Sequence, residues 1–221
     1  MQIAPRWRLP KLTVPALILL VLAAALLWLS ADSIQAQNDQ TVPSDWEHVP
    51  DGIEPGDSFR LLFVTSATRN ASSSDIADYN AHVQDAAGGN DSLKSFKGQF
   101  TALISTAAVN IKDNSATTGT GAPIHWLSGE KVADDYADLY DGDWDSVSGM
   151  TETGSSYTGL VWTGGNGRGE TSGQRYAGAS EVRLGDLSDP TLPLSSSTAK
   201  ASSESYPLYA LSPVISVAEA E

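Results

Sequence analysis

Three aspartates alternate along 141–145 (Asp141, Asp143 and Asp145), and Glu152 falls at the twelfth position counted from the first. Carboxylates at that spacing can converge on calcium, which takes about six to eight hard oxygen ligands. The D-x-D-x-D start is that of an EF-hand loop. Ser146, however, stands at the sixth position, where a glycine turns the chain, and Ser148 at the eighth, where an apolar residue packs. No amphipathic helix follows, which argues against an EF-hand proper. Two readings remain open. One is a looser calcium loop, because close carboxylates repel unless a cation or solvent separates them. The other is a solvated acidic turn at a helix end, with Trp144 anchoring the loop. The wider stretch "VADDYADLYDGDWDS", 132–146, holds six aspartates and no lysine or arginine. A pair of these carboxylates could also act as general acid and base on a polysaccharide, but no nucleophile or base pattern accompanies them.

Other motifs point to less. His48, His82 and His125 are widely separated and fit no metal-ligand spacing, and His125 in "PIHWL" reads as a satisfied, partly buried imidazole. There is no G-x-S-x-G elbow for a serine hydrolase. "GGNGRG" (164–169) follows a strand pattern, yet the next residues lack the apolar helical face that a phosphate loop requires, so a flexible loop is expected. Asn166 and Arg168 within it are candidate ligand contacts. Trp126, Trp144 and Trp162 could stack on sugar rings, although aromatics in strands usually belong to the core. Trp162 reads as buried, and Trp144, set among aspartates, is the candidate for exposure and ligand contact. Asn70-Ala-Ser72 and Asn90-Asp-Ser92 match glycosylation acceptors, which matter only in a host that uses them.

The elements that would position these groups are legible in outline. Turn signals at Asp51-Gly52 and Pro55-Gly56 precede the apolar run Phe59–Val64, which reads as a buried strand. Ser74 is the expected N-cap of a helix carrying Ile76, Tyr79, Asn80 and Val83, ended by Gly88-Gly89. Residues 98–106 read as a second strand and 121–129 as a third. A short helix is expected after Ser128, with Val132, Tyr136, Leu139 and Tyr140 on its apolar face, Asp134, Asp135 and Asp138 on the other, and Gly142 as its stop. Residues 159–164 form a strand, 186–205 a long loop, and 206–217 a closing strand.

The N-terminus reads as a targeting segment. Arg6, Arg8 and Lys11 precede an apolar run from Ala16 to Leu29, and small Ala36 precedes a cut at Gln37. A cleaved secretory signal is the leading reading of 1–36, with a retained anchor as the alternative, since a span needs roughly 20 apolar residues. Either way the remainder is expected to be exported. Residues 37–58 read as a leader, with 37–45 loose and polar, and 218–221 as an acidic tail. Removing the three cations and Asp32 of 1–36 takes the formal charge from −14 to −16. That charge excludes nucleic acid and anionic lipid surfaces as partners, both of which need a positive footprint. The absence of cysteine excludes disulfides, thiol catalysis and thiolate metal sites.

The order of "FTALIST", "APIHWLSGEKV", "YADLYDG", "GLVWTGGNGRG" and "YALSPVI" resembles the C-type-lectin-like superfamily, nearest the endostatin-like collagen domains and related bacterial exported domains. "IADYNAHVQDAA" matches the family's helix, and Ala102-Leu103-Ile104-Ser105 its A-f-L-S strand. Ala122-Pro123-Ile124 through Leu127 and Glu130, then Tyr136 to Gly142, then Val161-Trp162-Thr163-Gly164 match its later motifs. The match covers 59–217. It implies an α+β, C-type-lectin-like domain with two helices, short mostly antiparallel strands, long loops and a binding role. The family's cysteines are missing, and Ser212 stands where one is expected. Endostatin's zinc histidines and heparin-binding arginines and the lectins' Glu-Pro-Asn triplet have no counterparts, so no ligand carries over.

The resulting expectation is a secreted or cell-surface binding or adhesion module rather than an enzyme. Asp141, Asp143, Asp145 and Glu152 would hold calcium, and Trp144, Asn166 and Arg168 would contact a glycan or extracellular protein. Membrane contact would run only through an uncleaved N-terminal segment. A secreted polysaccharide hydrolase and a purely structural domain are the alternatives.

Overall fold

The strand β2 (Ser58–Val64) organises the molecule. Its sequence SFRLLFV is buried at every position except Ser58, the pattern of a strand covered on both faces. Strand alternation sends Phe59, Leu61 and Phe63 into one apolar core and Leu62 and Val64 into a second. Arg60 shares the second face and is 1% exposed. Among the described residues its guanidinium pairs with no carboxylate. Nε and Nη2 donate to the Ser212 carbonyl at 2.9 and 2.7 Å, and both terminal nitrogens reach the Ser115 carbonyl at 3.4 Å. Burial lowers its pKa to about 10.

The computed structural model describes residues 40–115 and 121–220. The targeting segment 1–36 and the cut at Gln37 lie outside these residues. In chain order the elements are β1 (Gln40–Val42), β2, β3 (Arg69–Asn70), α1 (Ile76–Gly88), β4 (Thr101–Ala102), α2 (Ile111–Ser115), β5 (Ile124–Trp126) and β6 (Lys131–Ala133). There follow β7 (Gly149–Met150), β8 (Ser156–Tyr157), β9 (Leu160–Trp162), β10 (Glu181–Asp186), β11 (Ala199–Ala201), β12 (Ser205–Tyr206), β13 (Tyr209–Leu211) and β14 (Ile215–Val217). Among the described residues, two α-helices and many short, mostly antiparallel strands make an α+β arrangement, and no helix there is long and apolar enough to cross a membrane.

In the main sheet, β13 and β14 run end to end along one side of β2, antiparallel to it, while β5 runs parallel on the other side with β6 outside it. β4 pairs β13, and β1 pairs β14. Helix α1 lies over the first core, burying Tyr79, Val83 and Ala87 at four-residue spacing. A separate ribbon, β9–β10–β11, carries Trp162 opposite Leu184.

Several elements differ from the sequence expectations, each for a local reason. Asp75, not Ser74, caps α1, accepting from the Ala77 amide at 3.0 Å. From Gln40 onward the leader is not loose: β1 pairs β14, and Trp46 packs on Phe59 and Phe96. No helix follows Ser128. Gly129 at φ +90° turns the chain into a β5–β6 hairpin, closed by the Trp126 amide on the Glu130 carbonyl at 2.9 Å. Asp135 then accepts from the Ala137 and Asp138 amides at 2.7 and 3.0 Å, an aspartate turn that competes with helix. Only one 3-10 turn, Asp138–Tyr140, remains. Within the expected loop 186–205 lies β11, whose partner β10 was not anticipated. Gly185 permits that ribbon, since a Cβ there would meet the Pro193 carbonyl oxygen at 1.7 Å. The expected closing strand breaks at Ser212-Pro213. Ser212 accepts from the Leu61 amide through its hydroxyl at 2.8 Å, and its own amide donates to the Leu61 carbonyl at 2.9 Å.

Removing the Arg60 side chain would strand two buried carbonyls and open a cavity. Arg60→Ala should lower stability by about 3 kcal/mol, and Arg60→Met, which refills the volume, by about 2 kcal/mol. Urea midpoints at constant slope would measure both; equal stability of all three proteins would contradict this role.

Candidate functional site

The structure brings part of the expected site together. The 163–169 loop abuts the acidic turn: a Cβ on Gly167 would lie 3.3 Å from the Gly142 Cα, and one on Gly169 would strike the Tyr140 ring. Asn166 shapes this loop from within. Its Oδ1 accepts from the Arg168 and Glu170 amides at 2.9 and 3.0 Å, and its own amide donates to the Glu170 carbonyl at 2.8 Å. Glu170 in turn pairs with Lys112 at 2.7 Å, which lowers the pKa of the Glu170 carboxyl and raises that of Lys112. Arg168 is exposed, and its guanidinium makes no hydrogen bond among the described residues. Across the contact, Asp141 accepts from the Asp143 amide at 3.0 Å, and Asp141 and Asp143 are both exposed. The result is a rim of loops offering two carboxylates and one guanidinium to solvent.

Trp144 does not belong to that rim. It is 2% exposed, its Nε1 donates to the Leu139 carbonyl at 3.1 Å, and its ring meets Trp126 and Tyr209 edge-on at 5.9 and 5.3 Å between centroids. Asp143 and Asp145 are exposed while Trp144 between them is buried, and the backbone is pinned on either side by the Trp144 amide on the Pro190 carbonyl and the Asp145 amide on the Val132 carbonyl, both at 3.0 Å. Once its one polar atom is satisfied, the indole gains more from burial than from solvent. Trp126 and Trp162 are both fully buried, as Trp162 was expected to be.

The four acidic residues expected to share a calcium ion do not converge. Glu152 is 8% exposed and turned away, accepting from the Ser66 amide at 2.8 Å and from the Ser66 hydroxyl. Asp145 instead joins Asp134 and Asp138, the one group of three acidic residues among the described residues whose oxygens all lie within 4.8 Å of one another. Lys131 donates to both Asp134 and Asp145, and Asp138 accepts from the Asp134 amide at 2.7 Å. A lysine thus neutralises part of the cluster. Asp134 and Asp138 were placed on the outer face of an expected helix, and reading a hairpin at Ser128-Gly129 would have put them beside Asp145.

Polar groups elsewhere make weaker catalytic material. The Ser66 hydroxyl donates to Glu152, while His82 Nε2 faces the Ala67 carbonyl at 3.3 Å and so carries its proton there. The Ser66 hydroxyl is thus taken by Glu152 and is bonded to no imidazole. Glu47, His48 and Leu127 are shared by two adjoining open clefts of about 350 and 340 Å³, neither lined by a lysine or arginine.

Burial lowers the pKa of His48, His82 and His125 below the usual 6.5. In each case the unfolded chain takes up a proton that the folded one resists. Their contribution is complete above pH 6.5 and is lost as the pH falls below it. The thermal midpoint should therefore drop between pH 7.5 and 5.5, and His125→Gln should flatten that slope. A midpoint unchanged across this range would contradict the assignment.

No protein-family model matches the chain, and no curated protein is significantly similar to it.

Proposed function

We propose that the chain is an exported, cell-surface binding or adhesion module of C-type-lectin-like fold, taking a glycan or protein ligand without chemical turnover. The observation that carries this reading is the rim where 141–143 meets 166–170. Its loops are set by their own side-chain-to-backbone hydrogen bonds. They rest on buried Tyr140 and Trp144. Pre-set loops lose less conformational entropy on binding than mobile ones. In this reading Arg168, Asp141 and Asp143 touch the ligand, while Asn166 and Trp144 hold them in place. The α+β content and mostly antiparallel pairing support the finer fold assignment.

Calcium enters the proposal at Asp134, Asp138 and Asp145 rather than at the four acids of the sequence pattern. The ion would take over the neutralising role of Lys131. Ligand binding only to the native state at 100 times its dissociation constant raises stability by about 2.7 kcal/mol. Millimolar calcium should thus raise the thermal midpoint in a way that magnesium does not reproduce and Asp138→Asn abolishes. No shift would leave Lys131 as the resident cation and confine ligand binding to the Arg168 rim.

The binding role is tested separately. On an immobilised panel of glycans and extracellular proteins, retention should be saturable and fall about tenfold in Arg168→Ala, the loss expected for one charge-assisted hydrogen bond. Trp144→Ala should instead destabilise the fold by about 3–5 kcal/mol. Turnover of a polysaccharide that disappears in single Asp→Asn variants would overturn the binding reading.

A further inference from the structure

The chain holds two Asn-x-Ser sequences, Asn70-Ala-Ser72 and Asn90-Asp-Ser92, and the fold treats them differently. Asn90 is built into the structure. Its Oδ1 accepts from the Ser92 and Leu93 amides at 2.9 and 3.1 Å, starting the turn after α1. Its Nδ2 donates to the Glu152 carbonyl at 2.9 Å, tying that turn to the segment that also holds Ser66. The Ser92 hydroxyl is occupied by Glu47. A substituent on Asn90 Nδ2 would have to break into this junction, beside the cleft lined by Glu47, Asn90 and Glu152.

Asn70 has no such duty. It is exposed, in the two-residue strand β3 opposite Ser205, and exposed Ser72 and Thr68 flank it. Its Oδ1 accepts from the Ser72 amide at 3.2 Å, a local turn that ties it to no other segment, while the exposed Ser72 hydroxyl donates to the Ser202 carbonyl at 3.1 Å. Its Nδ2 makes no hydrogen bond among the described residues and faces solvent.

We infer that Asn70 is an N-glycosylation site of this protein and that Asn90 is a structural asparagine excluded from the same reaction. The inference rests on the export proposed above. The co-reactant is an oligosaccharide carried on a lipid pyrophosphate. Asn70 Nδ2 forms a bond to the anomeric carbon, the bond from that carbon to the pyrophosphate oxygen breaks, the lipid pyrophosphate leaves with the electron pair, and the amide nitrogen gives up one proton. A glycan at Asn70 would stand on the β3–β12 ribbon.

The test expresses the full chain in a secretory host that performs this transfer, behind an export signal of proven function, so that delivery does not depend on residues 1–36. Site occupancy is read by intact mass and peptide mass spectrometry of the folded, secreted protein. One glycan at Asn70 is expected, lost in Asn70→Gln and in Ser72→Ala and kept in Ser92→Ala. An unoccupied Asn70 in secreted protein, or a glycan at Asn90, overturns the inference. Secretion of the unfused chain, scored in parallel, tests the export reading by itself.

Discussion

A fully buried arginine with no carboxylate partner among the described residues is the constraint around which the structure is arranged. β2 is covered on both faces, so Arg60 has no route to solvent and must find acceptors inside. It finds them in two backbone carbonyls, Ser212 in the gap between β13 and β14 and Ser115 at the end of α2. The carbonyl at a helix C-terminus carries partial negative charge, which partly offsets the missing counterion. The same break between β13 and β14 places the Ser212 hydroxyl on the Leu61 amide. In a chain with no cysteine, this polar junction links strand, strand break and helix end where a covalent link cannot form.

The second core grows outward from that junction. Tyr140 bonds to Ser115 at 2.6 Å, and Trp144 stacks edge-on against Trp126 and Tyr209. These residues anchor the acidic turn from below, and the glycines at 167 and 169 let the neighbouring loop close against it. Backbone geometry, packing and the exposed polar rim therefore form one continuous chain of cause, from Arg60 to Arg168.

Much of this was legible from sequence where one residue pattern has one structural solution. The unbroken apolar run of β2, the Tyr79–Val83 face of α1 and the buried Trp162 belong to that class. The failures share a different cause. Val132, Leu139 and Tyr140 are buried whether 129–140 is a helix or a hairpin followed by a turn, so apolar spacing could not decide between them; Gly129 and Asp135 did. Trp144 misled because its neighbours in sequence are charged, although the indole itself packs on Trp126 and Tyr209 while Asp143 and Asp145 stay exposed. β10 was missed because its ladder with β9 joins residues more than twenty positions apart and needs a bare Gly185 against Pro193, a requirement that no apolar pattern records. Convergence of Asp145 with Asp134 and Asp138 likewise required the turn geometry, whereas the alternation of Asp141, Asp143 and Asp145 suggested partners that the backbone separates.

What remains specific to function is the claim that the rim is set before any ligand or ion arrives. Amide hydrogen exchange of the apo protein in EDTA measures this directly at Asp143, Arg168 and Glu170, whose amides donate to side-chain oxygens. Exchange well below the unprotected rate at all three, unchanged on adding calcium, is the result the account predicts. Exchange at the unprotected rate, slowing only when calcium is added, would show that the loops are ordered by an ion and would contradict it.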